Sequence, residues 1–248
     1  MKAMILAAGL GTRLRPLTDT RPKALVEIGG RTLLEYVLMR LSGFGVTEVI
    51  INVHHFADQI ADYLAANRNF GMRIELSREP ELLDTGGGLK KAAWFFLESS
   101  AAEEPFFVHN VDVISTIDLG RMLQAHRDNG GLATLAVAKR SSSRQLLFDN
   151  AQELCGRRVD GLGYDPVRPG GLLRARAFAG IHVISPRIFS LMRDEEGAFS
   201  IIDAYLRLAA QDVRILGFRV DEYFWRDVGN LIALRQAEQE VSSWRTPQ

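Results

Sequence analysis

The sequence predicts an α/β fold, a mostly parallel mixed sheet with helices on both faces. Three observations carry this: short apolar runs that stop at glycine or polar residues, stretches of helical periodicity between them, and the alternation of the two. Residues 3–8 are wholly apolar and end at Gly9, as a strand buried on both faces does. Leu33, Leu34, Val37, Leu38 and Leu41 repeat at helical spacing, 48–53 is a second β-branched apolar strand, and Ile60, Tyr63 and Leu64 mark another amphipathic helix. Strands at 72–76, 105–109 and 132–138 and helices at 90–97 and 119–126 continue the pattern. Between 140 and 176 the rhythm breaks, because Gly156, Gly161, Gly163, Pro166, Pro169 and Gly170-Gly171 cut the chain into short pieces. These read as hairpins and loops of a small β-rich lid. A strand at 177–184, helices at 186–192 and 201–209, a strand at 213–220 and a closing helix at 230–241 follow, with the last few residues expected to fray. The expected organisation is a single domain over 1–248: a core at 1–139, a lid at 140–185 and completing elements at 186–248. No internal repeat marks an appended β-helix.

Composition narrows the partners. Lys plus Arg and Asp plus Glu both total 30, so the chain lacks the basic footprint of a general nucleic-acid binder. No run of about 18 apolar residues offers a membrane span. The apolar start is too short for a signal core, since Gly11-Thr12-Arg13 interrupts it. The single cysteine, Cys155, has no disulfide partner within the chain and no zinc-type neighbours, which fits a reducing cytoplasm. The expectation is a cytoplasmic monomer or small homo-oligomer.

The most informative stretch runs from Leu6 to Thr18 (Leu-Ala-Ala-Gly-Leu-Gly-Thr-Arg-Leu-Arg-Pro-Leu-Thr) and continues into Arg21-Pro22-Lys23. A buried strand ends at a turn where Gly9 and Gly11 allow close backbone approach and successive N–H groups can cradle phosphate oxygens. Arg13 can grip a phosphate with two donors, and Lys23 can place a point charge on developing negative charge. No Gly-Lys-Ser/Thr follows, so this is not a Walker loop. Arg13, Leu14 and Arg15 stand where a dinucleotide fingerprint has its third glycine. An isolated G-x-G after a strand is equally a plain tight turn; the added Thr12-Arg13 and Pro22-Lys23 set this one apart.

That run resembles the G-x-G-T-R…P-K signature of the sugar-1-phosphate nucleotidyltransferases (nucleoside diphosphosugar pyrophosphorylases). The resemblance extends over most of the chain. Asp84-Thr85-Gly86-Gly87-Gly88-Leu89 resembles the family's base-binding segment, 107–113 its N-G-D segment, and 224–230 its W-x-D-x-G segment. The resemblance implies a Rossmann-like, glycosyltransferase-A-like nucleotidyltransferase fold and a Mg2+-dependent reaction between an NTP and a sugar 1-phosphate. It implies Arg13, Lys23 and Asp112 as catalytic residues and Asp112 with Asp227 as metal ligands. Ala7, Ala8, Gly9, Gly11, Thr12, Arg13, Thr85, Gly86 and Gly87 would hold the nucleotide, with Glu81 accepting from a base N–H or simply solvated. Asn110 and Gly180 would face the sugar.

The chemistry agrees. Nucleotidyl transfer needs charge neutralisation and in-line positioning more than covalent help, and a carboxylate just after a buried strand suits Mg2+ on phosphate oxygens. Two departures stand out. Val111 occupies the place of the family's glycine and either crowds the phosphates or is absorbed by the backbone, and the glucose-type E-K-P segment is missing between Lys139 and Arg176. Chain length, the triple glycine and residues 177–183 look most like the N-acetylmuramate-1-phosphate uridylyltransferase branch. Mannose- and heptose-1-phosphate guanylyltransferases are the competing reading. Cytidylyl transfer to phosphocholine lacks a legible aromatic cage. A non-catalytic nucleotide-sugar sensor is opposed by the intact Arg13, Lys23, Asp112 and Asp227.

Overall fold

The computed structural model describes residues 1–98 and 103–242. The expected fraying of the last few residues lies outside the described residues. Two compact units make up the chain: Met1–Leu82 with His109–Thr116 and Phe224–Gln248, and Leu83–Val108 with Ile117–Tyr223.

The first unit is built on three parallel strands, Lys2–Leu6, Glu48–Val53 and Arg73–Arg78, with Glu48–Val53 in the middle. Ala3, Met4, Ile5, Val49, Ile50 and Ile51 are completely buried, which is why their segments carry no polar alternation. The helix Leu33–Gly43 starts at Thr32, whose side chain accepts the Glu35 N–H at 3.0 Å, and it buries Leu33, Leu34, Val37, Leu38 and Leu41. Ala57–Ala66 is the second helix of this unit. A two-stranded pair, Val113–Ser115 against Trp225–Asp227, joins parts of the chain more than a hundred residues apart. The bidentate grip of Arg226 on Glu240, at 2.8 and 2.6 Å, fastens the closing helix Leu231–Ser242 beside that pair.

In the second unit, Ala133–Ala138 pairs in parallel with Ile215–Arg219 and antiparallel with the long strand Arg174–Ile184. The same long strand pairs through Arg174–Arg176 with Arg144–Phe148, which leads on to Leu154–Val159 and Gly163–Pro166. The α/β fold with a mixed sheet is therefore as expected, and the segment expected as hairpins and loops is largely a run of antiparallel strands. Gly180, with φ +77°, stands where the ladder with Ala133–Ala138 shifts register between Phe178 and His182. Phe106 stacks on Phe96 at 3.8 Å, and Phe189 on both at 5.8 Å, in this unit's core.

Three local expectations are corrected. The helix expected at 90–97 is two helices, Asp84–Lys91 and Ala93–Leu97, and the helix at 186–192 contracts to Ile188–Leu191. The glycine run does not precede a helix; Gly86, Gly87 and Gly88 lie inside Asp84–Lys91 and are buried. A Cβ on Gly86 would stand 2.3 Å from the Phe199 ring, and one on Gly87 would stand 2.5 Å from the Gly197 carbonyl oxygen. Close packing against the 197–199 turn overrides the poor helix propensity of glycine. No described helix is long and apolar enough to cross a membrane.

Candidate active site

The first unit gathers four of the charged residues singled out in the sequence. Asp112 follows the strand Phe106–Asn110 and precedes Val113–Ser115. Asp227 ends the strand that pairs with Val113–Ser115, opposite Val113, and the Val228 N–H donates to the Asp112 carbonyl at 2.8 Å. This ladder brings the second carboxylate to the first. A methyl group on Gly229 would stand 2.7 Å from Asp227 Oδ1, 2.8 Å from Arg13 Nη2 and 3.2 Å from Asp112 Oδ2. Two carboxylates and a guanidinium thus surround one point, open because residue 229 has no side chain. Lys23 Nζ donates to Asp112 Oδ2, an ion pair with side chains only 12% and 14% exposed.

The turn that carries Arg13 is set by local chemistry. Gly11 has φ +66°, a left-handed conformation suited to glycine, and begins the short helical turn Thr12–Leu14. Its carbonyl accepts from the Leu14 N–H at 2.8 Å and the Thr18 hydroxyl at 2.9 Å. Gly9, Thr12 and Arg13 are exposed, with nothing within 4 Å of a Cβ on Gly9. Ala7 and Ala8 are buried, and the Ala7 N–H donates to Asn52 Oδ1 at 2.8 Å, so that donor is already committed.

Asn52 is a residue that the sequence reading missed. Its Nδ2 donates to the buried Glu79 Oε1 at 2.8 Å, and the Glu79 carbonyl meets His54 Nδ1 at 2.7 Å. The three parallel strands are therefore tied together at their C-terminal ends, beneath the glycine turn. The available signal was one polar residue inside a strand that is otherwise apolar after Glu48. Asn52→Ala leaves the buried Ala7 N–H without an acceptor, a loss of about 1–3 kcal/mol. We expect a lowered melting temperature and a raised KM for the NTP; an unchanged melting curve would show that the link carries no stability.

Val111 does not crowd this space. It is 3% exposed, and its N–H donates to the Leu6 carbonyl at 3.1 Å, so the branched side chain is taken into the core. His109 is completely buried, and burial lowers its pKa to about 4, so it is neutral at neutral pH. Its Nδ1 meets the carbonyl of Asn110, which is partly exposed at the end of its strand.

The remaining candidates are differently engaged. Glu81 is exposed in the first unit. In the second unit, the Thr85 hydroxyl accepts the Ile201 N–H at 3.0 Å, and the Gly86 and Gly87 N–H groups donate to the Phe199 carbonyl at 2.9 and 3.3 Å. The backbone donors expected to meet a base are engaged within the chain, the Thr85 N–H by Asp84 Oδ1 at 2.6 Å. Gly180 is buried at its register shift.

Among the described residues, no group of three or more His, Cys, Asp or Glu forms a metal cage. Asp112 and Asp227 offer oxygen ligands only, around a space kept clear at Gly229. Such a pair fits a hard cation that completes its shell with water and substrate phosphate, as Mg2+ does.

Comparison with known proteins identifies the family. A family model described as nucleotidyl transferase matches residues 2–243. N-acetylmuramate alpha-1-phosphate uridylyltransferase of Caulobacter vibrioides is 35% identical over 245 residues, covering 97% of this chain and 96% of that protein. The protein of the same name from Neisseria meningitidis serogroup B is 32% identical, covering 99% and 100%. Mannose-1-phosphate guanyltransferase of Aspergillus fumigatus is 33% identical, covering 92% of this chain but 61% of that protein. Among solved structures, UDP-glucose pyrophosphorylase complexed with UDP-glucose aligns with TM-score 0.77 at 19% identity, over 98% of this chain and 99% of that one. HddC from Yersinia pseudotuberculosis complexed with GMP-PN aligns with TM-score 0.73 at 22% identity, over 97% and 99%. These last two are likenesses of fold. The chain belongs to the nucleotidyl transferase family, as a sugar-1-phosphate nucleotidyltransferase.

Proposed function

We propose that the chain transfers a uridylyl group from UTP to N-acetylmuramate 1-phosphate, or a closely similar amino-sugar 1-phosphate, with release of pyrophosphate. The observation that carries the chemistry is the meeting of Asp112, Asp227 and Arg13 around Gly229, with Lys23 paired to Asp112. This constellation supplies charge and position. The attacking oxygen belongs to a phosphate monoester that is already ionised, so no side chain has to remove a proton.

In this reading, Asp112 and Asp227 would hold Mg2+, which would supply charge neutralisation to the phosphates. The exposed turn from Gly9 to Thr12 receives the phosphates, with Arg13 on the leaving pyrophosphate. Lys23 reaches the α-phosphate from its place beside Asp112, where its charge opposes that developing in the transition state. Asn110 and Gly180 remain proposals for sugar contact. The Ala7, Gly86 and Gly87 N–H groups have partners within the chain, which leaves the exposed Glu81 carboxylate and the Thr85 hydroxyl to meet a base. A buried thiol at Cys155 and the use of an NTP fit a cytoplasmic setting.

The choice of UTP and an N-acetylmuramate-type sugar rests on the two relatives matched over nearly their full lengths. A guanine brings an N1–H and an amine that need acceptors, and leaving each unpaired costs about 1–3 kcal/mol. The test is pyrophosphate release with UTP and GTP in competition, against each sugar 1-phosphate in turn. We expect UTP with the N-acetylmuramate substrate to be fastest. A GTP preference that collapses in Glu81→Ala would favour the guanylyl reading instead.

A further inference from the structure

The Lys23–Asp112 ion pair does more than set a lysine near the reaction. Lys23 Nζ lies on Asp112 Oδ2, the oxygen that also faces the open point at Gly229 alongside Asp227 Oδ1. We infer that the Lys23 ammonium is a stand-in cation that competes with the divalent ion for Asp112, so that metal binding is weak until a nucleotide draws Lys23 away. The inference rests on the metal reading given above for the same two aspartates.

Charge and reach support it. Asp112 and Asp227 bring two negative charges to one small space, and Arg13 and Lys23 bring two positive charges, so the cluster is neutral without a metal. A dication entering this set meets two cations at short range, and the ammonium occupies one of its carboxylate oxygens. Both side chains of the ion pair are largely shielded from water, so the repulsion is poorly screened. A lysine can leave without disturbing its backbone, because its charge rides on a flexible four-carbon stem. Here the backbone is held by the Lys23–Leu25 turn, which begins after the buried Pro22. A triphosphate offers that ammonium new anionic oxygens and supplies further ligands to the metal. Nucleotide and metal then favour each other's binding beyond simple chelation in solution.

The test is Mn2+ binding to the nucleotide-free protein, followed by the electron paramagnetic resonance signal of free Mn2+ and by calorimetry. Wild type, Lys23→Met, Lys23→Gln, Asp112→Asn and Asp227→Asn are compared, each first shown by thermal melting to be folded. A like charge removed from beside a binding carboxylate strengthens cation binding by about tenfold or more. Lys23→Met and Lys23→Gln should therefore bind Mn2+ at least that much more tightly than wild type while turning over more slowly. Weaker binding in both aspartate variants, with no gain in either lysine variant, would overturn the competition while leaving the metal reading standing. Unchanged binding in both aspartate variants would overturn the metal reading itself, and the competition with it.

Discussion

Asp112→Asn is expected to lower kcat by about 10³-fold or more while the protein stays folded. The amide has nearly the shape of the carboxylate, and the Asp112 backbone carbonyl keeps its bond from Val228. What disappears is the charge that holds Lys23 and, in the proposed mechanism, Mg2+. The lost attraction to Lys23 is offset in stability by relief of repulsion from Asp227, whose Oδ1 shares the space at Gly229. Pyrophosphate release at saturating substrates measures the rate, and a thermal melt checks the fold. A rate within tenfold of wild type would remove Asp112 from the chemistry.

Gly229→Ala should reduce kcat by about 10²-fold, the scale associated with displacing reacting groups by about 1 Å. Gly229 is buried, and its backbone is not in the left-handed region, so the substitution acts through space rather than strain. The new methyl group would lie 2.7 Å from Asp227 Oδ1, 2.8 Å from Arg13 Nη2 and 3.2 Å from Asp112 Oδ2. Arg13 ends a long, exposed side chain and can retreat. Asp227 is less free, since its Oδ1 accepts the Gly229 N–H at 2.7 Å. The effect should fall mainly on kcat, with a modest change in melting temperature. A folded Gly229→Ala protein with wild-type kcat would show that the carboxylates need not converge there.

The parts legible in sequence were those whose signal is local. Apolar runs placed the strands Lys2–Leu6 and Glu48–Val53, because burial on both faces leaves no polar alternation, whereas Arg73–Arg78 showed through alternating residues; the glycine turn with Arg13 and Lys23 resembles a phosphate-binding segment. That Asp227 reaches Asp112 is a matter of the Trp225–Asp227 ladder, which no local rule can supply. The triple glycine was misread for a related reason: glycine disfavours helix in isolation, but Phe199 and Gly197 leave room for nothing larger. Residues 174–176 were left out of their strand because Arg-Ala-Arg carries little apolar signal, although it pairs with Arg144–Phe148. Asn52 was passed over because its run is otherwise that of a buried strand.

The first unit is assembled from three separate stretches of chain, and the second carboxylate arrives with the last of them. A ribosome makes the chain in order, so the Gly9–Arg13 turn, Lys23 and Asp112 all emerge long before Asp227. The intervening stretch supplies most of the second unit in the meantime. A nascent chain halted at residue 223 therefore carries the Gly9–Arg13 turn and one aspartate but not the strand that completes the charge cluster. In the proposed mechanism, activity therefore appears only near the end of synthesis, when residues 225–227 pair back onto a partner strand made much earlier.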